Sequence, residues 1–513
     1  MRKYNKFTAS LLAVLVGFSC SGLFAFAAEK ADSITIFIDG INSENIIDAV
    51  TGDVLYPPSG NAITGAVIKN IPVITGALLT GKHEKAVPPL AEAVNALFAP
   101  AVVDENGLPP ENAVFDYKWP TTEEIRAFVE NKDPGKRLKY AFDWRLDMMT
   151  TARDLHSFIE YVMDAAGVHS VDLIGCSMGT CALMSYLKMY DFEYVRSVVI
   201  LVGALNGVSS CGEPFAGKIS LNSDSIVRYT DTVLGFDLGG VIASSLLHSL
   251  NASGIMDFVV KRANALADEL KAAVYSTVFA DTFAKIPGMW ALVPFELYEQ
   301  AKSLAGTGMS RKTLEASDWY HYEVQANNEE ILRECLERGI KMGIIAKYGY
   351  PGIPCYDSCD AMSDSVIDTV YESFGAVCAD AGKTLGSDYS QAVDNGHNCI
   401  SPDGLIDSST CTFCDQTWFI KNSKHADSFS QSAVICNYII NSDEQVTVWD
   451  NNALPQYLVI SSDDIVPLTS DNAPAVYRSG IEKESVFSVF ADFIKSLTKL
   501  VRTFFADRFA CGM

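Results

Sequence analysis

The sequence predicts an α/β fold on a mostly parallel central sheet, and three observations lead there. Short apolar runs at Ser33–Ile38, Ser170–Ile174 and Val195–Val202 are rich in β-branched residues and read as buried strands. Between the later two lies Thr180–Tyr190, a helix, and before them Thr151–Ala166 sets Leu155, Phe158, Ile159, Val162 and Met163 on one helical face. The pattern then returns after a long interruption, with strands at Met342–Tyr348 and Thr417–Ile420 and a helix over 429–440. Strand and helix alternating at such short spacings call for parallel βαβ units.

In chain order, the first strand stops at Asp39-Gly40, and a stretch punctuated by Gly and Pro follows to about residue 135, with helical periodicity over 86–98. Tyr140–Trp144 reads as a short strand. Residues 208–335 are helical in character and include Met289, Trp290 and Phe295 in a Pro-bounded stretch, which suits a cap or lid inserted between sheet strands. A Cys-rich insertion separates the strands at 342–348 and 417–420. The expected division is a leader (1–28), the first part of the core (29–207), a helical cap (208–335), the rest of the core with its Cys-rich insertion (336–475) and a terminal helix (476–513).

Arg2, Lys3 and Lys6 precede an apolar stretch from Leu11 to Phe26, and Ala25-Phe26-Ala27 supplies small residues for cleavage near Ala28. This is the pattern of a signal peptide, so the protein is expected outside the cytoplasm, secreted or at the cell surface. No later apolar run reaches the ~18 residues that span a bilayer. With 39 Lys and Arg against 63 Asp and Glu, the net charge of -24 repels phosphate backbones and speaks against a nucleic-acid partner. From Val486 to Phe509, Phe490, Phe493, Ile494, Leu497, Leu500, Val501 and Phe504 share one face; this segment suits either a membrane interface or packing on the protein itself.

Of 13 cysteines, eight fall close together: Cys335, Cys355, Cys359, Cys378, Cys399, Cys411, Cys414 and Cys436. In an oxidising compartment such an even cluster implies disulfides. Zinc held by His397, Cys399, Cys411 and Cys414 is the alternative, because Cys411-x-x-Cys414 has ligand spacing. The chemistry expected below requires no metal and no cofactor.

Gly175-Cys176-Ser177-Met178-Gly179 carries that chemistry. A serine lifted from a tight strand-to-helix turn presents its Oγ to substrate, and glycines flank it because side chains there would strike the neighbouring strand and helix. Here the motif follows an apolar strand and opens a helix, which is the context it needs. A serine hydroxyl requires a base, and in this arrangement the acid and then the histidine follow the serine in the chain. His425 follows the strand at 417–420 and precedes a helix, so it is the expected base; His248 and His321 fall in the cap and His397 in the Cys-rich loop. For the acid, Asp403 stands before a glycine turn and shortly before His425, with Asp407 and then Asp464 as alternatives. The oxyanion donors are expected to be the backbone N–H groups of Met178 and of Ile41, after Asp39-Gly40.

Phe142-Asp143-Trp144-Arg145, a helix, and then Val171-Asp172-Leu173-Ile174-Gly175-Cys176-Ser177-Met178-Gly179 together resemble the lecithin:cholesterol acyltransferase-like branch of the α/β-hydrolases. Ile286-Pro287-Gly288-Met289-Trp290-Ala291-Leu292-Val293-Pro294 is similar to a Pro-bounded cap segment of that group. The resemblance implies a lipase, phospholipase or acyltransferase acting on lipid or other acyl esters, a triad of Ser177, Asp403 and His425, and a substrate contact at Trp290. Two departures stand out: Asp39-Gly40 replaces the usual Pro-Gly, and Cys176 replaces the usual histidine.

Overall fold

A computed structural model describes residues 33–473, except scattered positions between 61 and 79, and 132–134, 234–237, 428 and 462–463. The expected leader and the amphipathic segment 486–509 lie outside the described residues. The core is an eight-stranded sheet: β1 (Ser33–Ile38), β2 (Leu138–Tyr140), β3 (Ser170–Cys176), β4 (Val195–Leu201), β5 (Lys341–Tyr348), β6 (Thr417–Lys421), β7 (Tyr457–Ser461) and β8 (Asp464–Pro467). Their spatial order is β8-β7-β6-β5-β4-β3-β1-β2. Every pairing is parallel except the antiparallel β7–β8 edge. The fold class is therefore mixed α/β with a mostly parallel sheet, as the strand and helix alternation predicts.

Burial explains the apolar strand runs. Parallel strands covered on both faces need side chains that tolerate burial on both, and every residue of β5 and β6 is buried. On one face pack α1 (Met148–Ala166) and α2 (Gly179–Tyr190), with Leu155, Phe158, Ile159 and Val162 in the core. On the other, α3 (Phe429–Asn441) seats Ile435, Cys436 and Ile439 against Trp418, Ile345 and Val199.

Register brings the strand ends into line. Ile38 pairs with Gly175, Cys176 with Leu201, Leu201 with Ile345, and Tyr348 with Lys421. The loops after β1, β3, β5 and β6 thus leave from one edge of the sheet, the carboxyl edge, where open α/β sheets place their ligands.

Element limits differ from expectation where side chains intervene. α1 begins a turn before Thr151 because Asp147 caps it, accepting the Thr150 N–H at 2.9 Å. The strand expected over 140–144 ends at Tyr140. Beyond it Arg145, almost wholly buried, folds back on Asp143 (2.8 and 2.6 Å) and donates to the carbonyls of Pro100 (2.8 Å) and Ala113 (3.0 Å). A small sheet of Ile46–Asp48, Val54–Tyr56 and Ala113–Phe115 is unforeseen; three-residue strands carry too little alternation to be read.

The cap is helical as expected, from Ser209–Phe215 to Asn328–Glu337. Its Pro-bounded segment docks on the Phe142–Arg145 turn: Gly288 N–H donates to the Arg145 carbonyl (3.3 Å), and a Cβ on Gly288 would lie 1.9 Å from the Trp144 carbonyl oxygen. The eleven described cysteines are free thiols. Cys399 and Cys414 bring their sulfurs to 3.7 Å, whereas Cys335 and Cys436 are buried separately in helices. No helix among the described residues is long and apolar enough to cross a membrane.

Candidate active site

Ser177 sits between the end of β3 and the start of α2 with φ of 53°, a left-handed conformation that non-glycine residues seldom adopt. The surroundings hold it there. Its N–H donates to the Leu201 carbonyl (3.1 Å), and its own carbonyl accepts from the N–H of Thr180 (3.0 Å), the Thr180 hydroxyl (2.6 Å) and the N–H of Ala204 (3.2 Å). The sharp turn brings α2 against β1: a Cβ on Gly179 would lie 2.3 Å from the Ile38 carbonyl oxygen. On the other side, a Cβ on Gly40 would lie 2.9 Å from the Ser177 Cβ. The loop after β1 therefore approaches Ser177 closely enough to require glycine there.

His425 follows β6, and its Nε2 accepts the Ser177 hydroxyl at 2.9 Å. The third member is Asp364, in the long loop after β5. His425 Nδ1–H donates to the Asp364 carboxylate, and the His425 backbone N–H donates to the Asp364 carbonyl at 2.8 Å. The other carboxylate oxygen accepts the N–H groups of Val366 (2.9 Å) and Ile367 (2.8 Å). Complete burial works against its charge, but His425 and these donors outweigh that and hold the Asp364 carboxyl below its ordinary range. Serine, histidine and carboxylate thus form a continuous hydrogen-bonded chain, oriented for a proton to pass from Oγ to imidazole.

The expected acids are engaged elsewhere. Asp403 pairs with Lys421, the last residue of β6, at 2.7 Å with both groups buried, and also accepts from Ser401 (2.6 Å) and Tyr348 (3.2 Å). Asp407 accepts the Tyr389 hydroxyl and the Ala392 N–H, both at 2.8 Å, and caps the turn at Ser409 (2.9 Å). Asp464 is exposed at the start of edge strand β8. Asp364 stands at the start of the insertion, not at its end. The signal that finds it is topological: a carboxylate in the loop leaving β5, next to the strand that bears the histidine.

Trp290 is likewise corrected. It has no exposed surface, donates to the Phe283 carbonyl (3.1 Å) and packs edge-on against Phe215 (4.9 Å), so it belongs to the cap core and not to a substrate surface. Met178 is the N-cap residue of α2, directly after Ser177, and Ile41 follows the glycine that touches Ser177.

The loop that bears Asp364 is fastened to the cap and to the loop after β4. Asp368 accepts the Ser209 N–H at 2.9 Å, and Asn206 donates to the Tyr371 carbonyl at 3.0 Å. Burial pushes the Asp368 carboxyl up to about 6. Among the described residues, Asp364, Glu372 and His425 are the one group of three or more His, Cys, Asp or Glu side chains whose donor atoms lie within 4.8 Å of one another, but Asp364 and His425 spend theirs on each other. The His397 ring stacks on Trp449 at 4.2 Å and stands outside that group. Comparison with protein-family models, curated proteins and solved structures gives no match for the chain.

Proposed function

We propose that the chain is an exported serine hydrolase of the α/β-hydrolase type that cleaves or transfers acyl groups of lipid esters through an acyl-enzyme on Ser177. The observation that carries this reading is the chain of contacts from Ser177 Oγ through His425 to Asp364, with the serine on a strained strand-to-helix turn. Left-handed backbone at a non-glycine residue costs about 1–3 kcal/mol, and such strain gathers where a side chain must be presented. The nucleophile after β3, the acid after β5 and the base after β6 also follow the order this fold uses.

In the proposed reaction, Ser177 Oγ attacks the ester carbonyl as its proton passes to His425 Nε2. Asp364 stabilises the resulting imidazolium and fixes the ring with Nδ1–H toward itself. The oxyanion takes hydrogen bonds from the backbone N–H groups of Met178 and Ile41. His425 then protonates the leaving alcohol, and water or a second alcohol resolves the acyl-enzyme by the reverse sequence.

One surface feature favours a hydrophobic substrate. The cap helix Ile255–Val274 exposes Ile255, Phe258 and Val259, successive on one face and each more than half exposed. An apolar cluster of this kind on a cap suits contact with a lipid surface. Labelling of the purified protein by a fluorophosphonate, beside Ser177→Ala and His425→Ala, tests the reading. Wild type is expected to label and both variants to fail; folded wild type that does not label overturns it.

A further inference from the structure

Glu372 closes the helical turn Thr369–Glu372, and its side chain has no exposed surface. One carboxyl oxygen, Oε2, accepts the backbone N–H of Lys347 at 2.7 Å. The other, Oε1, meets no donor from the protein. The carboxyl faces the carboxylate of Asp364 within the same 4.8 Å group that includes His425. Building on the triad reading above, we propose that Glu372 is a positioning residue that stays a neutral acid and donates its Oε1–H to Asp364.

Charge balance drives the assignment. Two carboxylates buried together beside a single imidazole resist ionising together, because burial removes solvent screening and the charge of Lys347 offsets the repulsion only in part. The nearby cation is Lys347, and its ammonium is directed away, donating to the carbonyls of Lys424 (3.0 Å) and Asp427 (3.4 Å). Asp364 already holds three N–H donors, two from the backbone and one from His425, all of which favour its anion. Glu372 has one, so the proton settles on Glu372. Burial, reinforced by the Asp364 charge, raises its carboxyl well above the ordinary range, while Asp364 is held low.

The hydrogen bond then does two things. It occupies Oε1, which is otherwise without a partner, and it gives the catalytic carboxylate a fourth anchor. Thr369, at the start of the same turn, donates its hydroxyl to the Lys347 carbonyl at 3.0 Å, so the turn is tied to β5 on both sides of the carboxyl. Glu372 touches neither Ser177 nor substrate; it acts through Asp364.

The test compares Glu372→Gln with Glu372→Met in the full chain. Glutamine keeps an acceptor for Lys347 N–H and an N–H donor for Asp364, whereas methionine keeps only the bulk. Glu372→Met is expected to slow fluorophosphonate labelling by about 10- to 100-fold, the rate equivalent of one hydrogen bond to a charged group. It should also move the acid limb of the labelling rate to higher pH, because a less stabilised Asp364 anion raises the basicity of His425. Glutamine should rescue both effects in large part. Independently of any activity, the infrared spectrum of wild type near neutral pH should contain a protonated-carboxyl stretch that Glu372→Gln lacks. If that band is missing, or if Gln impairs labelling as severely as Met, the assignment is wrong. Should Glu372→Met fail to fold, the band and the pH profile of Glu372→Gln still decide. Wild type that shows the band but never labels would refute the hydrolase reading and leave the proton on Glu372.

Discussion

His425 is tied to Asp364 twice, once through its ring and once through its backbone N–H, which reaches the Asp364 carbonyl at 2.8 Å. The second bond fixes the loop after β6 against the loop after β5, so imidazole orientation does not depend on the carboxylate alone. The two residues are far apart in sequence and meet only because β5 and β6 are neighbours in register, with Tyr348 opposite Lys421.

This double tie separates the two aspartates that compete for the acid role. Asp364→Asn should lower kcat/KM on an activated ester by about 10⁴-fold, since the amide favours the wrong imidazole tautomer while the backbone tie preserves the fold. Asp403→Ala should behave oppositely. It strands a buried Lys421 and should cost about 3–5 kcal/mol in urea unfolding, with the remaining folded protein still active. A collapse of turnover in Asp403→Ala with stability intact would restore it as the acid.

The glycines around Ser177 predict a contrast between stability and rate. Gly179→Ala forces a Cβ against the fixed Ile38 carbonyl, and overpacking of this kind costs about 1–3 kcal/mol or more, to be read as a lower thermal midpoint. Gly40→Ala pushes on the Ser177 side chain itself. Its expected signature is a labelling rate lower by about 10²-fold with little change in stability, as small displacements of reacting groups give.

Asp368 gives the fold a pH dependence of defined sign. Its carboxyl is raised to about 6 in the folded chain, against about 3.9 when unfolded, so the folded state holds the proton more tightly. Its contribution is therefore complete below about pH 4 and is lost as pH rises through 6, by at most about 3 kcal/mol. Asp368→Asn keeps an acceptor for the Ser209 N–H but cannot ionise. Urea unfolding of wild type and variant across this window should show the variant without that decline; parallel curves would assign the slope to other groups.

The exposed end of the cap helix bears on substrate. Phe258→Asp should leave turnover of a short, dissolved ester within about twofold, as surface substitutions generally leave the fold. Turnover of an emulsified long-chain ester should fall several-fold more. Equal loss on both would mean that Phe258 supports the cap and does not meet a lipid surface.

By itself the sequence determined the elements with strong periodicity and the local part of the site. β1, β3, β4, β5 and β6 and both helices that flank Ser177 stand where apolar runs and helical faces put them, because burial on both faces leaves a pattern that survives in one dimension. The glycines beside Ser177 are legible for a similar reason, since the turn's geometry is set by residues adjacent in the chain. Tertiary structure alone decided the rest. Asp364 has no distinguishing neighbours in sequence and becomes an acid partner only where β5 lies beside β6, while Asp403, nearer to His425 in the chain, is spent on Lys421. Trp290 looks like a binding aromatic until the cap folds around it. Periodicity records which face of an element is buried; which carboxylate meets an imidazole depends on how distant strands are ordered, and no local pattern encodes that.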